Sequence, residues 1–169
     1  MSNLPIEINH SISFLNTTIH SLMNIHNLTY QYLNSLLAIP PMKDGYSGNM
    51  KAFSNKYNKK LEDALEITIN DYNIFKTEID DIIRYKNTES VIYSSSRFLL
   101  VYDTYIKLEK KTKKMYDLCE VKKEEAKRND NYALYIAINK ISPSIYRANV
   151  ICKKIISKLK ILLNKDDEI

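Results

Sequence analysis

The chain has 169 residues, 44% of them hydrophobic and 27% charged, with a formal net charge of +5. That length suits a single domain with a real core, and the balance of apolar and charged residues excludes a disordered chain. Only two glycines occur, Gly45 and Gly48, which rules out a glycine-rich phosphate cradle or an oxyanion-hole elbow anywhere else along the sequence.

Apolar residues recur at alternating spacings of three and four in four segments, the pattern of helices packed along narrow seams. The first segment predicts a helix over about residues 6–38, with Ile8, Ile12, Leu15, Ile19, Leu22, His26, Thr29, Leu33 and Leu36 on its seam. Between Met1 and Met42 the one charged side chain is Glu7. A helix that carries Asn, Ser, Thr and His where Lys and Glu would ordinarily be solvated is enclosed by other helices, lies against a partner, or is a face that neutral polar side chains solvate adequately. His20, Asn24, Asn27, Tyr30 and Gln31 are the candidate partner surface.

The turn Pro40-Pro41-Met42-Lys43-Asp44-Gly45-Tyr46-Ser47-Gly48 holds both glycines and two of the four prolines. It reads as a hinge: Gly45 supplies a positive-φ turn after Asp44, and Gly48 allows two helices to approach closely. The second helix is expected over about 49–86, with the seam Leu61, Leu65, Thr68, Tyr72, Phe75, Ile79 and Ile82, preceded by Met50, Phe53 and Tyr57.

The next joints, Asn87-Thr88-Glu89-Ser90 and Arg128-Asn129-Asp130-Asn131, contain neither Gly nor Pro, so the second and third helices are readable as two or as one bent helix. The third, over about 91–128, has the seam Phe98, Val101, Tyr105, Leu108, Thr112, Met115 and Cys119. The fourth, over about 131–164, has Leu134, Ile138, Ile141, Ile145, Ala148, Cys152, Ile155, Leu159 and Leu162. Pro143 lies within it, and a kink or break is expected there, with Ser142 as the N-cap of a restarted helix. Four helices of this length, each about 50 Å long at 1.5 Å per residue, predict an all-α, elongated antiparallel bundle forming one domain.

Charge is unevenly spread. Residues 1–90 carry 8 basic and 10 acidic groups, and residues 91–169 carry 17 and 10. Lys107, Lys110, Lys111 and Lys114 share one face of the third helix and are the candidate contact for an anionic surface, either membrane or nucleic acid. Arg147, Lys154, Lys158 and Lys165 form a second basic set along the fourth helix. Acidic neighbours interrupt the third helix, and Glu109→Lys113 and Glu124→Arg128 are expected as the i,i+4 pairs of a solvated face.

Glu7 and His10 have the Glu-x-x-His spacing of di-iron bundles, but His20 and His26 lack the matching glutamate, so no metal site is expected. No Gly-x-Ser-x-Gly occurs, and neither Cys119 nor Cys152 has the cationic neighbourhood of an activated thiolate. Both cysteines read first as core thiols of a reducing compartment, with a single disulfide between them as the alternative. The sequence therefore predicts no catalytic residues, no cofactor and no small-molecule substrate. The longest apolar run, Phe98-Leu99-Leu100-Val101-Tyr102, falls far short of the ~20 residues of a membrane span. The chain also starts without a signal-peptide pattern, so an intracellular, soluble protein is expected.

Tyr46-Ser47-Gly48, followed by Ala52-Phe53 and Tyr57, resembles the helical hairpins of the WXG100 and LXG families of type VII secretion. The resemblance implies an exported helical partner protein that carries a Tyr-x-x-x-Asp/Glu signal, which Tyr85…Glu89 matches in place and Tyr105…Glu109 and Tyr116…Glu120 match elsewhere. Here tyrosine stands for the family's aromatic, and two further helices follow. The order of a long helix, a proline-containing joint and long helices ending in a lysine-rich stretch is also similar to BAR domains, which implies a dimer resting on curved membranes. The reading that needs neither family is an adaptor, scaffold or assembly subunit acting through helix–helix packing, with protein partners as a homo- or hetero-oligomer.

Overall fold

The computed structural model of the chain describes residues 3–40 and 48–165, with side chains from Ser54 onward in the second stretch. It is all-α, with four helices in chain order: α1 (Leu4–Leu37), α2 (Gly48–Arg84), α3 (Glu89–Arg128) and α4 (Tyr132–Leu162). Gly48 opens α2; Gly45 and Tyr46, the rest of the expected hinge, lie outside the described residues. α2 and α3 are separate helices, divided by a turn in which Thr88 bonds back to the Tyr85 carbonyl through both its amide and its hydroxyl.

The joints without glycine are closed by other residues. Asp130 and Asn164 take left-handed conformations, with φ of 56° and 55°, just past the ends of α3 and α4. Short polar side chains tolerate this region better than most. The following amides then reach back five residues, Asn131 to Ala126 and Lys165 to Lys160, which satisfies helix-end carbonyls as a glycine-containing stop would. Asn131 also caps α4 by accepting a bond from the Leu134 amide.

The break expected at Pro143 does not occur: α4 runs unbroken from Tyr132 to Leu162 with Pro143 inside it, and Ser142 is a buried mid-helix residue rather than a cap. Proline leaves the carbonyl four residues earlier without its amide partner. That carbonyl belongs to Asn139, which is exposed, as is Pro143 itself, so solvent can take the freed acceptor while the opposite face stays packed.

Cross-helix contacts define how the four helices are arranged. α1 and α2 run antiparallel, with Ser11 opposite Glu78 at one end and Tyr32 opposite Ser54 at the other. α3 and α4 are also antiparallel, with Tyr116 on Tyr146 and Lys165 over Tyr102. α1 and α3 run parallel, since Arg97 reaches Asn9 while Tyr105 reaches Leu15. α2 and α4 are parallel too, joined by Lys154 over Tyr72, Lys158 to Asp80 and Lys86 to Asn164. The helices therefore stand in the order α1–α2–α4–α3 around the bundle. α1 and α4 touch across the short diagonal, whereas α2 and α3 barely meet.

The seams of the second and third segments are buried along their described length, from Leu61 to Ile82 and from Phe98 to Cys119. In α1 the core turns slightly off the expected line: Ile25 is buried and His26 only half-buried, and Thr18 is buried where Ile19 is not. In α4 the core begins at Ala133 and Ala137, leaving Leu134 partly exposed. Thr29, Thr68 and Thr112 occupy core positions because each hydroxyl bonds the carbonyl four residues back on its own helix and so needs no partner across the seam.

Three buried polar links join different helix pairs. The Tyr105 hydroxyl donates to the Leu15 carbonyl at 2.7 Å, from α3 to α1. The Tyr32 hydroxyl donates to Ser54 at 2.6 Å, from α1 to α2. The Asn149 amide donates to the Glu109 carbonyl and the Thr112 hydroxyl, from α4 to α3. Replacing Tyr105 with Phe removes the first link without opening a cavity, and the expected cost is about 1–2 kcal/mol. For a chain of this size that is a fall in melting temperature of roughly 2–8 °C. Thermal unfolding followed by circular dichroism measures it; an unchanged midpoint would show that the hydroxyl contributes nothing.

Candidate functional site

The residues able to do chemistry separate into a surface histidine–glutamate contact, two buried thiols, a half-buried carboxylate and two surfaces. His10 pairs with Glu78 of α2, which also accepts from Ser11 at 3.3 Å, and the His10 ring meets Phe14 edge-on. Glu7 borders Asp81, Arg84 and Tyr85 instead. The Glu-x-x-His spacing thus sends its two side chains to different partners, and among the described residues no group of three His, Cys, Asp or Glu side chains could hold a metal ion. His20 is exposed, and the half-buried His26 ring lies within hydrogen-bond distance of the neighbouring Asn27 side chain, at 3.3 Å.

Cys119 and Cys152 are both free and fully buried. Burial pushes each thiol up to about 12, with Glu120 adding to the rise at Cys119 and a Thr112 hydrogen bond opposing it at Cys152. Thiols in that state are protonated at neutral pH and cannot act as nucleophiles. Both should resist a thiol reagent such as Ellman's reagent in the native protein at pH 8 and react completely in 6 M guanidinium. Labelling of the native protein at the rate of a free peptide thiol would contradict their burial.

Asp71 is half-buried on α2, one of its carboxylate oxygens is enclosed without a hydrogen-bond partner, and burial raises its pKa from the ordinary 3.8. A raised carboxyl favours the native state only when protonated, so the penalty is absent below about pH 3.8 and present above it. Asp71→Asn should therefore raise the melting temperature at pH 7 and leave it nearly unchanged at pH 3. An equal change at both values would trace the effect to packing rather than to charge.

The first surface is the outer face of α1. His20, Asn24, Asn27, Tyr30 and Gln31 are all exposed together there, so this uncharged face is not enclosed by the chain's own helices. The second is the outer face of α3, where Lys107, Lys110, Lys111 and Lys114 are exposed and no ion pair holds any of them among the described residues. Lys113 pairs with Asp117 at 3.2 Å rather than with the expected Glu109, and the expected Glu124–Arg128 pair does not form; Lys122 takes Glu125 and Lys123 takes Glu120.

The periodicity of α3 concealed a second set of apolar residues on that outer face. Ile92 is 60% exposed and Leu100 71%, with Tyr93 and Leu99 beside them at one end of the lysine cluster. Leu118 and Val121 continue the same face beyond its other end. The signal was present in the sequence, since Phe98–Tyr102 is apolar at consecutive positions and one helix face cannot bury all five. Of the three Tyr-x-x-x-Glu matches, Tyr105 is fully buried, Tyr85 and Tyr116 are half-buried, and Glu89 is the first residue of α3.

No helix among the described residues is long and apolar enough to cross a membrane. Comparison with known protein families, with curated proteins and with solved structures finds no match.

Proposed function

We propose that the chain is a non-enzymatic helical interaction module, an adaptor or subunit of a larger protein assembly, and that it docks a partner helix on the outer face of α3. The observation that carries this reading is the exposure of Ile92, Tyr93, Leu99 and Leu100 on a helix whose opposite face is fully packed. Large apolar side chains grouped on one exposed face mark interaction sites more often than scattered ones do.

Charge complementarity defines the partner. Along α3 the face is apolar at Ile92–Leu100, basic at Lys107–Lys114 and apolar again at Leu118 and Val121, a span of about 45 Å at 1.5 Å per residue. The matching surface is a helix with apolar residues towards both ends and Asp or Glu between them. A helix built to lie in a lipid interface segregates its lysines around the axis, beside a continuous apolar stripe; here they alternate along the axis, on the same line as the leucines. The outer face of α1, by comparison, offers hydrogen-bonding groups but few apolar anchors.

The test compares the wild-type chain with an Ile92→Asp/Leu100→Asp variant in a native pull-down and in sedimentation with anionic vesicles, with solution mass measured alongside. Both sites are exposed, so helix content should not change. The reading expects a partner whose cross-linked segment is helical and acidic, lost by at least about tenfold in the variant. Retention of the partner by the variant overturns the reading. Vesicle binding that disappears in the variant reassigns the face to membrane contact, and a mass of twice 19.8 kDa that falls to a monomer's in the variant reassigns it to self-association.

A further inference from the structure

Between α2 and α4 lies a groove of about 330 Å³ whose chemistry differs from that of the α3 face. Because these two helices run parallel, Lys76 of α2 and Lys154 of α4 stand near the same level, and Arg147 lies two turns back along α4, about 10 Å away by helical rise. Buried Tyr72 and Ile151, half-buried Val150 and exposed Tyr146 also line the groove. The Lys154 ammonium is 5.9 Å from the centroid of the Tyr72 ring.

Two features separate this groove from ordinary solvated surface. No carboxylate lines it, and among the described residues Lys76, Arg147 and Lys154 have no ion-pair partner, whereas Lys158, one turn further along α4, is held by Asp80 at 2.6 Å. Cations drawn from two helices into a groove with an aromatic lining, left unneutralised, form a place where an anion gains charge-assisted bonds and a ring or chain gains apolar contact. Glu62 and Glu66 border the shallow continuation beyond Arg147, so the favourable end for an anion is the one between Lys76 and Lys154.

We propose that this groove binds a phosphate monoester carried on an aromatic or apolar body, with the phosphate between Lys76 and Lys154 and the body over Tyr72 and Val150 towards Tyr146. The cations come from α2 and α4, and although Tyr146 also meets Tyr116 of α3, the site does not depend on the α3 reading. Two sources present this chemistry, a soluble aryl or nucleoside phosphate and the headgroup of an anionic lipid.

Amide NMR titrations of the full chain with phenyl phosphate and with inorganic phosphate, and sedimentation with vesicles containing phosphatidic acid, test it. Saturable shifts are expected at residues 69–76 and 146–154, with phenyl phosphate bound more tightly than inorganic phosphate. Lys76→Gln/Lys154→Gln, two exposed positions, should weaken binding by about tenfold or more. Lys110→Gln/Lys111→Gln on α3 should change it by less than about twofold. Vesicle binding lost in the first variant identifies a lipid source, and aryl phosphate binding without vesicle binding identifies a soluble one. Equal binding of inorganic phosphate, equal loss in both variants, or no saturable binding of either probe overturns the proposal.

Discussion

The hydrogen bond from the Tyr105 hydroxyl to the Leu15 carbonyl is the contact from which the rest of the arrangement follows. Burial raises the phenol well above its ordinary pKa of 10.0, so it remains a donor at every physiological pH. The Leu15 carbonyl lies inside α1 and uses its second lone pair to accept it. The bond holds α3 beside α1; their parallel sense follows because the chain reverses once into α2 and once more into α3. Since α2 already lies antiparallel to α1, the turn at 85–88 must carry the chain across the bundle end, and α4 returns between α3 and α2. The parallel α2–α4 groove is a consequence of that crossing.

Buried polar groups recur where helices must choose one alignment among several. A seam of Leu and Ile alone tolerates sliding by a turn, because one apolar knob replaces another at little cost. Tyr32 with Ser54, Tyr105 with Leu15, and Asn149 with Thr112 each join a different helix pair, and a shift of one turn would strand the polar group in an apolar environment. Thr29 and Thr68 differ: each is satisfied within its own helix, so they fill volume without choosing a partner, whereas Thr112 also accepts from Asn149.

The same division between inner and outer faces produces the two candidate surfaces. α3 has more apolar residues than one buried face accommodates, and the excess emerges as Ile92, Tyr93, Leu99 and Leu100 on the outside. Among the described residues Lys107, Lys110, Lys111 and Lys114 are left without an ion pair, while Lys113, Lys122 and Lys123 pair with acidic side chains three or four residues away. The α2–α4 groove gathers its cations from helices that are separated in sequence by about half the chain. The first surface is a property of one helix, the second of a pair.

The all-α class, the seams of α2 and α3 and the burial of both cysteines follow from local patterning, because a 3–4 apolar spacing leaves one packable face per helix; the separation of α2 from α3 did not, since their joint holds neither Gly nor Pro. The exposure of His20, Asn24, Asn27, Tyr30 and Gln31, and of Lys107, Lys110, Lys111 and Lys114, follows from the same rule applied to the opposite face. Read locally, Pro143 calls for a kink or a break, but buried residues on both sides of it hold one continuous helix, and Asn139, whose carbonyl loses its amide partner, is exposed to solvent. The positions where α3 and α4 end were legible, but their left-handed closures at Asp130 and Asn164 were not, since closure by Asp or Asn carries no signal as strong as glycine. What the sequence by itself determined is which face of each helix turns inward. Which helices become neighbours, and in which sense, was decided only in three dimensions, because apolar seams are interchangeable and a few buried hydroxyl and amide groups select among their pairings.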